Sequence, residues 1–132
     1  MQGILRWVVL WSVIVVGIAA CASGSVPVHN FSGVPIGAKS NPSLAEVGRA
    51  IASGGAAAGW QMSEVKPGHI VGSYRIRRHL AVVDVTYSTR TYDIKFKEGD
   101  AGLKYDGYNI HENYNGWVQE LEKVIRAHVS AL

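Results

Sequence analysis

Cysteine is nearly absent from this sequence of 132 residues, in which Cys21 is the single example. One cysteine cannot form an intramolecular disulfide, and it cannot supply a cluster of thiolate metal ligands. The fold must therefore be stabilised by a hydrophobic core, and a chain of this length has room for one domain with one modest core.

Charged residues are also scarce, at 17% of the chain, and the formal net charge is only +3. The sequence lacks the lysine and arginine clusters that neutralise many phosphates, which argues against nucleic acid as a partner. It also lacks a Gly-x-Ser-x-Gly motif, a phosphate-binding glycine loop and a carboxylate pair. We therefore expect a protein that is not an enzyme and that uses no cofactor.

The N-terminal segment is the most apolar part of the chain. Residues 1–6 carry one positively charged side chain, Arg6, and an uncharged run from Trp7 to Ala20 follows. This run is shorter than the roughly 20 residues of a membrane-spanning helix. The pattern predicts a cleaved export signal over residues 1–20, with a permanent transmembrane helix and ordinary secretion as the alternatives.

The residues Ile18-Ala19-Ala20-Cys21 resemble the lipobox of bacterial lipoproteins. In that family the signal is cut before the cysteine, here between Ala20 and Cys21, and the cysteine carries the lipid. The resemblance implies membrane attachment at Cys21, because two or three acyl chains hold a protein at a bilayer. Ala22 stands where an Asp retains such proteins in the inner membrane, which implies the outer membrane, facing the periplasm.

Residues 22–42 contain Gly, Ser or Pro every few positions and show no sustained periodicity. This composition predicts a flexible tether with an end-to-end distance of about 25 Å. The alternative is that the apolar residues of this stretch dock on the domain as an extended edge segment. The domain itself is expected over residues 43–132.

Two helices are predicted at the ends of this domain. Ser43-Leu44-Ala45-Glu46 fits a capping box, and the helix that follows is expected to fray near Gly54-Gly55. A stripe of apolar residues predicts a second helix over residues 113–130, with Glu122 among the residues that face water.

Alternation of apolar and polar residues predicts antiparallel strands over residues 70–77, 80–87 and 91–97, after a short strand near Trp60. Asp106-Gly107 predicts a tight turn before the last helix. The order α-β-β-β-β-α predicts an α+β two-layer sandwich. Its antiparallel sheet has three to five strands, and both helices lie on one face.

Two further segments resemble a group of small proteobacterial lipoproteins that have no assigned activity. The first runs from Arg78 to Tyr87 and begins Arg78-His79-Leu80-Ala81, and the second runs from Ile110 to Leu121 and begins Ile110-His111-Glu112. The resemblance covers residues 43–132 and implies the same architecture and compartment. It assigns no catalytic residue.

Four arginines fall near the predicted strands: Arg75, Arg77, Arg78 and Arg90. Guanidinium groups bind carboxylates and phosphates with two parallel hydrogen bonds. These arginines therefore predict a cationic patch for lipid headgroups or cell-wall polymers. The alternative is a solvated sheet face in which the arginines pair with Asp84 and Asp93.

Aromatic residues are concentrated near the second helix: Tyr105, Tyr108, Tyr114 and Trp117, with Asn109, Asn113 and Asn115 between them. Aromatic rings and amides together recognise sugars or peptides. The alternative is that the rings pack the helix start against the sheet, with Asn113 or Asn115 as the helix cap.

Among the five histidines, His79 and His111 are the candidates for a shared site, with Glu112 as a third ligand. Two imidazoles and a carboxylate suit zinc or copper. The alternative, which we expect, is that these residues are polar ends of elements and bind no metal.

The sequence as a whole predicts a non-enzymatic, lipid-anchored protein of the cell envelope. We expect it to present a sheet face or an edge strand to a periplasmic or cell-wall partner. The alternative is a module that binds an anionic or saccharide envelope component through the arginines or the aromatic cluster.

Overall fold

The computed structural model describes residues 24–132, so the predicted export signal and Cys21 lie outside the described residues. The elements follow in the order β1 (Ser25–Pro27), β2 (Phe31–Pro35), α1 (Leu44–Ala57), β3 (Gln61–Lys66), β4 (His69–Ile76), β5 (His79–Tyr87), β6 (Thr91–Gly99), a short 3-10 helix (Ala101–Leu103), β7 (Asn109–His111) and α2 (Glu112–Ser130). The α+β fold expected from the sequence is confirmed.

Five strands form one antiparallel sheet in the order β2-β6-β5-β4-β3, and β1 pairs with β7 in a separate two-stranded sheet. Four of its strands, β3 to β6, are those predicted from the sequence, with β3 at one edge of the sheet and β2 at the other. Ile70, Val85 and Ile94 lie side by side on one face and are almost fully buried. Period-two alternation therefore identified the buried face of the sheet correctly.

Both helices cover that buried face. The core joins the sheet to buried residues of α1 and α2: Val47, Ile51, Val118, Leu121, Ile125 and Val129. Full burial of such a side chain stabilises the fold by about 1.5–3 kcal/mol. Among residues 24–132, no helix is both long and apolar enough to cross a membrane.

Helix α1 begins as predicted but ends later. The Ser43 hydroxyl oxygen accepts a hydrogen bond from the Glu46 amide at 3.1 Å, which confirms Ser43 as the N-cap, while the Glu46 carboxylate accepts from the Ser43 hydroxyl group at 3.1 Å instead of from a backbone amide. The expected fraying near Gly54-Gly55 is wrong, because the helix continues to Ala57 and both glycines are buried. A Cβ atom on Gly54 would lie 2.9 Å from the Ile125 Cα atom, so this glycine allows α1 and α2 to approach closely.

Helix α2 is confirmed with two corrections. His111 is its N-cap, with Nδ1 accepting from the Asn113 amide at 3.2 Å, so neither Asn113 nor Asn115 caps the helix. Glu122, expected to face water, is only 5% exposed. Its carboxylate accepts a hydrogen bond of 2.8 Å from the Tyr92 hydroxyl group.

The flexible tether expected over residues 22–42 is wrong for residues 25–36. β1 pairs with β7, β2 pairs with β6 at the edge of the sheet, and Ile36 is buried. The Asn115 side chain holds the turn between these strands, donating to the Pro27 carbonyl and accepting from the His29 amide, both at 2.9 Å. These residues form the alternative, an extended segment docked on the domain. The domain therefore already begins at β1.

The tight turn at Asp106-Gly107 is confirmed. The Asp106 carboxylate accepts hydrogen bonds from the amides of Tyr108 at 2.9 Å and Asn109 at 2.6 Å. These two bonds hold the pKa of Asp106 below its usual value. The turn leads the chain into β7 and from there directly into α2.

Candidate functional site: a cationic cleft

An open cleft of about 470 Å³ lies between the β4–β5 turn and the first turns of α2. Its lining residues are Ile76, Arg77, Arg78, His79, Asn113 and Trp117. Arg77, Arg78 and Trp117 combine cationic and aromatic side chains on one surface. This combination makes the cleft the strongest candidate for a binding site within the described chain.

The position of the two arginines follows from the tightness of the β4–β5 turn. Ile76 pairs directly with His79, so Arg77 and Arg78 alone make the connection, and both are exposed. Arg77 has a φ of 53°, in the left-handed region that costs a non-glycine residue about 1–2 kcal/mol. The favoured turns of two-residue hairpin loops have a positive φ at a central residue, so the tightness of the turn accounts for this conformation.

The two arginines of the β4–β5 turn form no direct ion pair with the described residues. Arg77 and Arg78 belong to none of the ion pairs found within residues 24–132. Pairing of the arginines with Asp84 and Asp93 is wrong for this fold. The Asp84 carboxylate contacts His69 at 2.7 Å and Lys97 at 3.6 Å. The Asp93 carboxylate accepts from the Gly33 amide.

Asp100 fixes the edge of the cleft at the start of β5. Its carboxylate accepts hydrogen bonds from the amides of Leu80 at 2.8 Å and Gly102 at 2.9 Å. The Leu80 bond above all, then the Gly102 bond and the nearby His79, hold the pKa of Asp100 below its usual value. His79 Nδ1 lies 3.4 Å from this carboxylate and is buried without a hydrogen bond.

A row of rings in contact supports the aromatic wall of the cleft. The Trp117 ring lies 5.9 Å from the His79 ring and 5.7 Å from the Tyr74 ring, between ring centroids. Tyr74 in turn stacks on the buried Trp60 at 5.0 Å. Trp117 is therefore held in place by the sheet and keeps part of its surface in the cleft.

The predicted four-arginine patch is not one surface. Arg75 lies on the other face of the sheet, where it pairs in register with Leu80 of β5, and it does not line the cleft. Arg90 lies in the β5–β6 turn, at the other end of the sheet, beside a separate pocket of about 350 Å³. Only Arg77 and Arg78 meet in the cleft.

The predicted aromatic cluster is also divided. Tyr114 is fully buried against Phe96, at 5.0 Å between ring centroids, and burial raises its pKa above the usual value. Tyr105 and Tyr108 are 44% and 69% exposed and lie outside the cleft. Of the four aromatic candidates, only Trp117 reaches the cleft, and Asn113 is the one amide beside it.

The two candidate metal ligands do come together. The rings of His79 and His111 lie 5.8 Å apart between centroids. His111 Nδ1, however, is occupied by the Asn113 amide. Within residues 24–132 no three His, Cys, Asp or Glu side chains are grouped to hold a metal ion, Glu112 included. The geometry favours a histidine pair that borders the cleft.

No protein-family model, curated protein or solved structure matches this chain. The chemistry of the cleft is therefore argued from its own residues.

Proposed function

We propose that this chain is a non-enzymatic lipoprotein of the cell envelope whose cleft binds a carboxylate or phosphate group of an envelope component. The observation that carries the proposal is the pair of unpaired arginines, Arg77 and Arg78, beside Trp117 in an open cleft. Of the two functions expected from the sequence, this geometry favours the binding module.

The chemistry of the lining fits an anion attached to a less polar group. Guanidinium groups donate paired hydrogen bonds to the oxygens of carboxylate or phosphate. The Asn113 amide offers a further donor and acceptor. The Trp117 ring and Ile76 supply an apolar wall for a sugar ring or a glycerol unit.

Strand addition to a protein partner is supported less well. β3 is an edge strand that pairs only with β4 among the described strands. It carries the charged residues Glu64 and Lys66, both exposed, and a register shift lies between them. Charges and bulges on an edge strand disfavour pairing with another chain.

The proposed location rests on the lipobox-like residues that end at Cys21 and on the resemblance to small proteobacterial lipoproteins. Acyl chains on Cys21 would hold the domain at the periplasmic side of the outer membrane. The intact mass of the protein from its native envelope tests this: we expect a chain that begins at Cys21 and carries acyl groups. An unmodified thiol, or a Cys21→Ser protein that stays equally membrane-bound, contradicts the anchor.

Binding in the cleft is tested by nuclear magnetic resonance of the acylated protein in a neutral detergent, titrated with inorganic phosphate and with acetate. We expect saturable shifts of the amides of Arg77, Arg78 and Asn113. The Arg77→Ala/Arg78→Ala variant should bind at least about tenfold more weakly, because charge-assisted hydrogen bonds are lost. Arg90→Ala, which removes an exposed turn arginine elsewhere, is the matched control. Equal weakening by both variants contradicts a site in the cleft.

A further inference from the structure

The stretch of chain between Cys21 and the folded domain is very short. Gly24 is the first described residue and lies three residues after Cys21. An extended chain spans about 3.3–3.6 Å per residue, so this spacer reaches at most about 11 Å. That is less than half of the roughly 25 Å expected for a flexible tether over residues 22–42.

Gly24 is fixed to the start of α2. Its carbonyl accepts a hydrogen bond of 2.7 Å from the Glu112 amide, and the next residue, Ser25, pairs with His111. A pocket of about 240 Å³ is lined by Gly24, Ser25, Lys104, His111 and Glu112. The attachment point of the spacer therefore has a defined place on the domain.

This place adjoins the cationic cleft. The His111 ring lies 5.8 Å from the ring of His79, which lines the cleft together with Arg77 and Arg78. The β5–β6 turn with Arg90 lies at the opposite end of β5. Nine residues of strand separate the two ends by about 26 Å at roughly 3.3 Å per residue.

The charges at this end favour an anionic surface. Lys104 and Glu112, which share the pocket beside Gly24, offset each other, while Arg77 and Arg78 outnumber the Asp100 carboxylate at the edge of the cleft by one charge. The spacer is comparable to the Debye length of about 8 Å at physiological ionic strength. At the distance of a 25 Å tether, most of this attraction would be screened by about three Debye lengths of salt solution.

We infer that the cleft faces the membrane that holds the acylated Cys21, and that its ligand is the phosphate of an anionic phospholipid in that membrane. The inference rests on the proposed function and specifies its ligand. The spacer positions the cleft at the headgroup layer, Arg77 and Arg78 bind the phosphate oxygens, and Trp117 lies against the glycerol region. The lipid anchor and the cleft then act on one surface.

The orientation is tested with the acylated protein in lipid nanodiscs that contain a gadolinium-chelating lipid. Paramagnetic broadening of amide signals falls steeply with distance from the headgroups. We expect broadening of residues 76–79 and 111–113 that is several times stronger than that of residues 88–90. Equal broadening at the two ends, or stronger broadening of residues 88–90, overturns the inference.

The ligand is tested in nanodiscs of phosphatidylcholine and in nanodiscs of an equal mixture with phosphatidylglycerol. We expect shifts of the Arg77 and Arg78 amides only with the anionic lipid, retained in Arg90→Ala. The Arg77→Ala/Arg78→Ala variant should lose the lipid-dependent shift of the Asn113 amide. Shifts with inorganic phosphate but not with the anionic membrane overturn this inference and leave the proposed cleft function intact. The mass of the same sample reports acylation, whose absence overturns the anchor and this inference together.

Discussion

The hydroxyl group of Tyr92, in β6, donates a hydrogen bond of 2.8 Å to the carboxylate of Glu122, in α2. Glu122 is buried, and the Arg126 guanidinium group lies 3.4 Å from its carboxylate. Tyr92→Phe should lower the free energy of unfolding by about 2 kcal/mol, because a buried carboxylate loses a partner. Urea denaturation measures this. In a Glu122→Gln background the same change should cost less, and an equal cost would show that the carboxylate is not involved.

Alkaline pH should destabilise the fold through two tyrosines. Burial, followed by the hydrogen bond to Glu122, raises the pKa of Tyr92, and burial raises the pKa of Tyr114. A phenol whose pKa is higher in the folded state stabilises the fold fully below about pH 10 and loses this effect as the pH rises. We expect the free energy of unfolding to fall above about pH 10, and less steeply in Tyr92→Phe. Parallel pH profiles would contradict this.

Gly54, in α1, and Gly116, in α2, should respond to alanine in opposite directions. Gly54→Ala places a Cβ atom 2.9 Å from the Ile125 Cα atom and should destabilise the fold by about 1–3 kcal/mol. Gly116, in α2, has open space around its Cβ position. Gly116→Ala should stabilise the fold by about 0.5–1 kcal/mol, through better helix propensity. Thermal unfolding followed by circular dichroism measures both, and two shifts of the same sign would refute the packing role of Gly54.

Arg77→Gly should separate stability from binding. Glycine relieves a left-handed φ that costs about 1–2 kcal/mol and adds about 0.5–1 kcal/mol of backbone entropy to be lost on folding. The net gain in unfolding free energy is about 0.5 kcal/mol, while phosphate binding in the cleft weakens by about tenfold. Denaturation and phosphate titration of the same protein check both effects. Unchanged phosphate affinity in Arg77→Gly would remove this arginine from the site.

Asp100 should make the cleft edge sensitive to acid. Its pKa is lowered chiefly by the Leu80 amide, so the carboxylate stabilises the fold above its unfolded pKa of about 3.9, and this stabilisation is lost as the pH falls through the lower folded value. Asp100→Asn should therefore cost about 1 kcal/mol at pH 7 and less below pH 3 or so. Denaturation at the two pH values measures the difference. A cost that does not change with pH would exclude the charge as its cause.

The sheet was predictable because burial of one face favours alternation of apolar and polar residues along its strands. A strand covered on one face alternates, as β4 and β6 do, while β5 departs from alternation where Ala81, Val82 and Val83 are buried in succession at its register shift. The sequence predicts a tether in place of β1 and β2, because Gly, Ser and Pro dominate the composition of these two strands. Their pairing depends on distant groups, such as the Asn115 side chain at the Pro27 carbonyl, which no local pattern records.

The site was only partly predictable for the same reason. Arg77 and Arg78 were identified from their charge, but their separation from Arg75 and Arg90 depends on strand register and turn position. The sequence predicts that α1 frays near Gly54, because the contact of Gly54 with Ile125 lies 71 residues away along the chain. The helical pattern places Glu122 at the surface, because the Tyr92 hydroxyl group that donates to the buried carboxylate belongs to another element.

The pairing of β1 with β7 spans only three positions, Ser25 with His111, Val26 with Ile110 and Pro27 with Asn109. A pull on the N-terminal end of the domain is borne first by this short ladder, and α1 and the five-stranded sheet lie behind it. Release of residues 24–30 would lengthen the spacer by about 20–25 Å, and it would remove Val28 from its packing against the core. The three pairs that hold the domain close to the acylated Cys21 would then be the first to separate when that end is stretched.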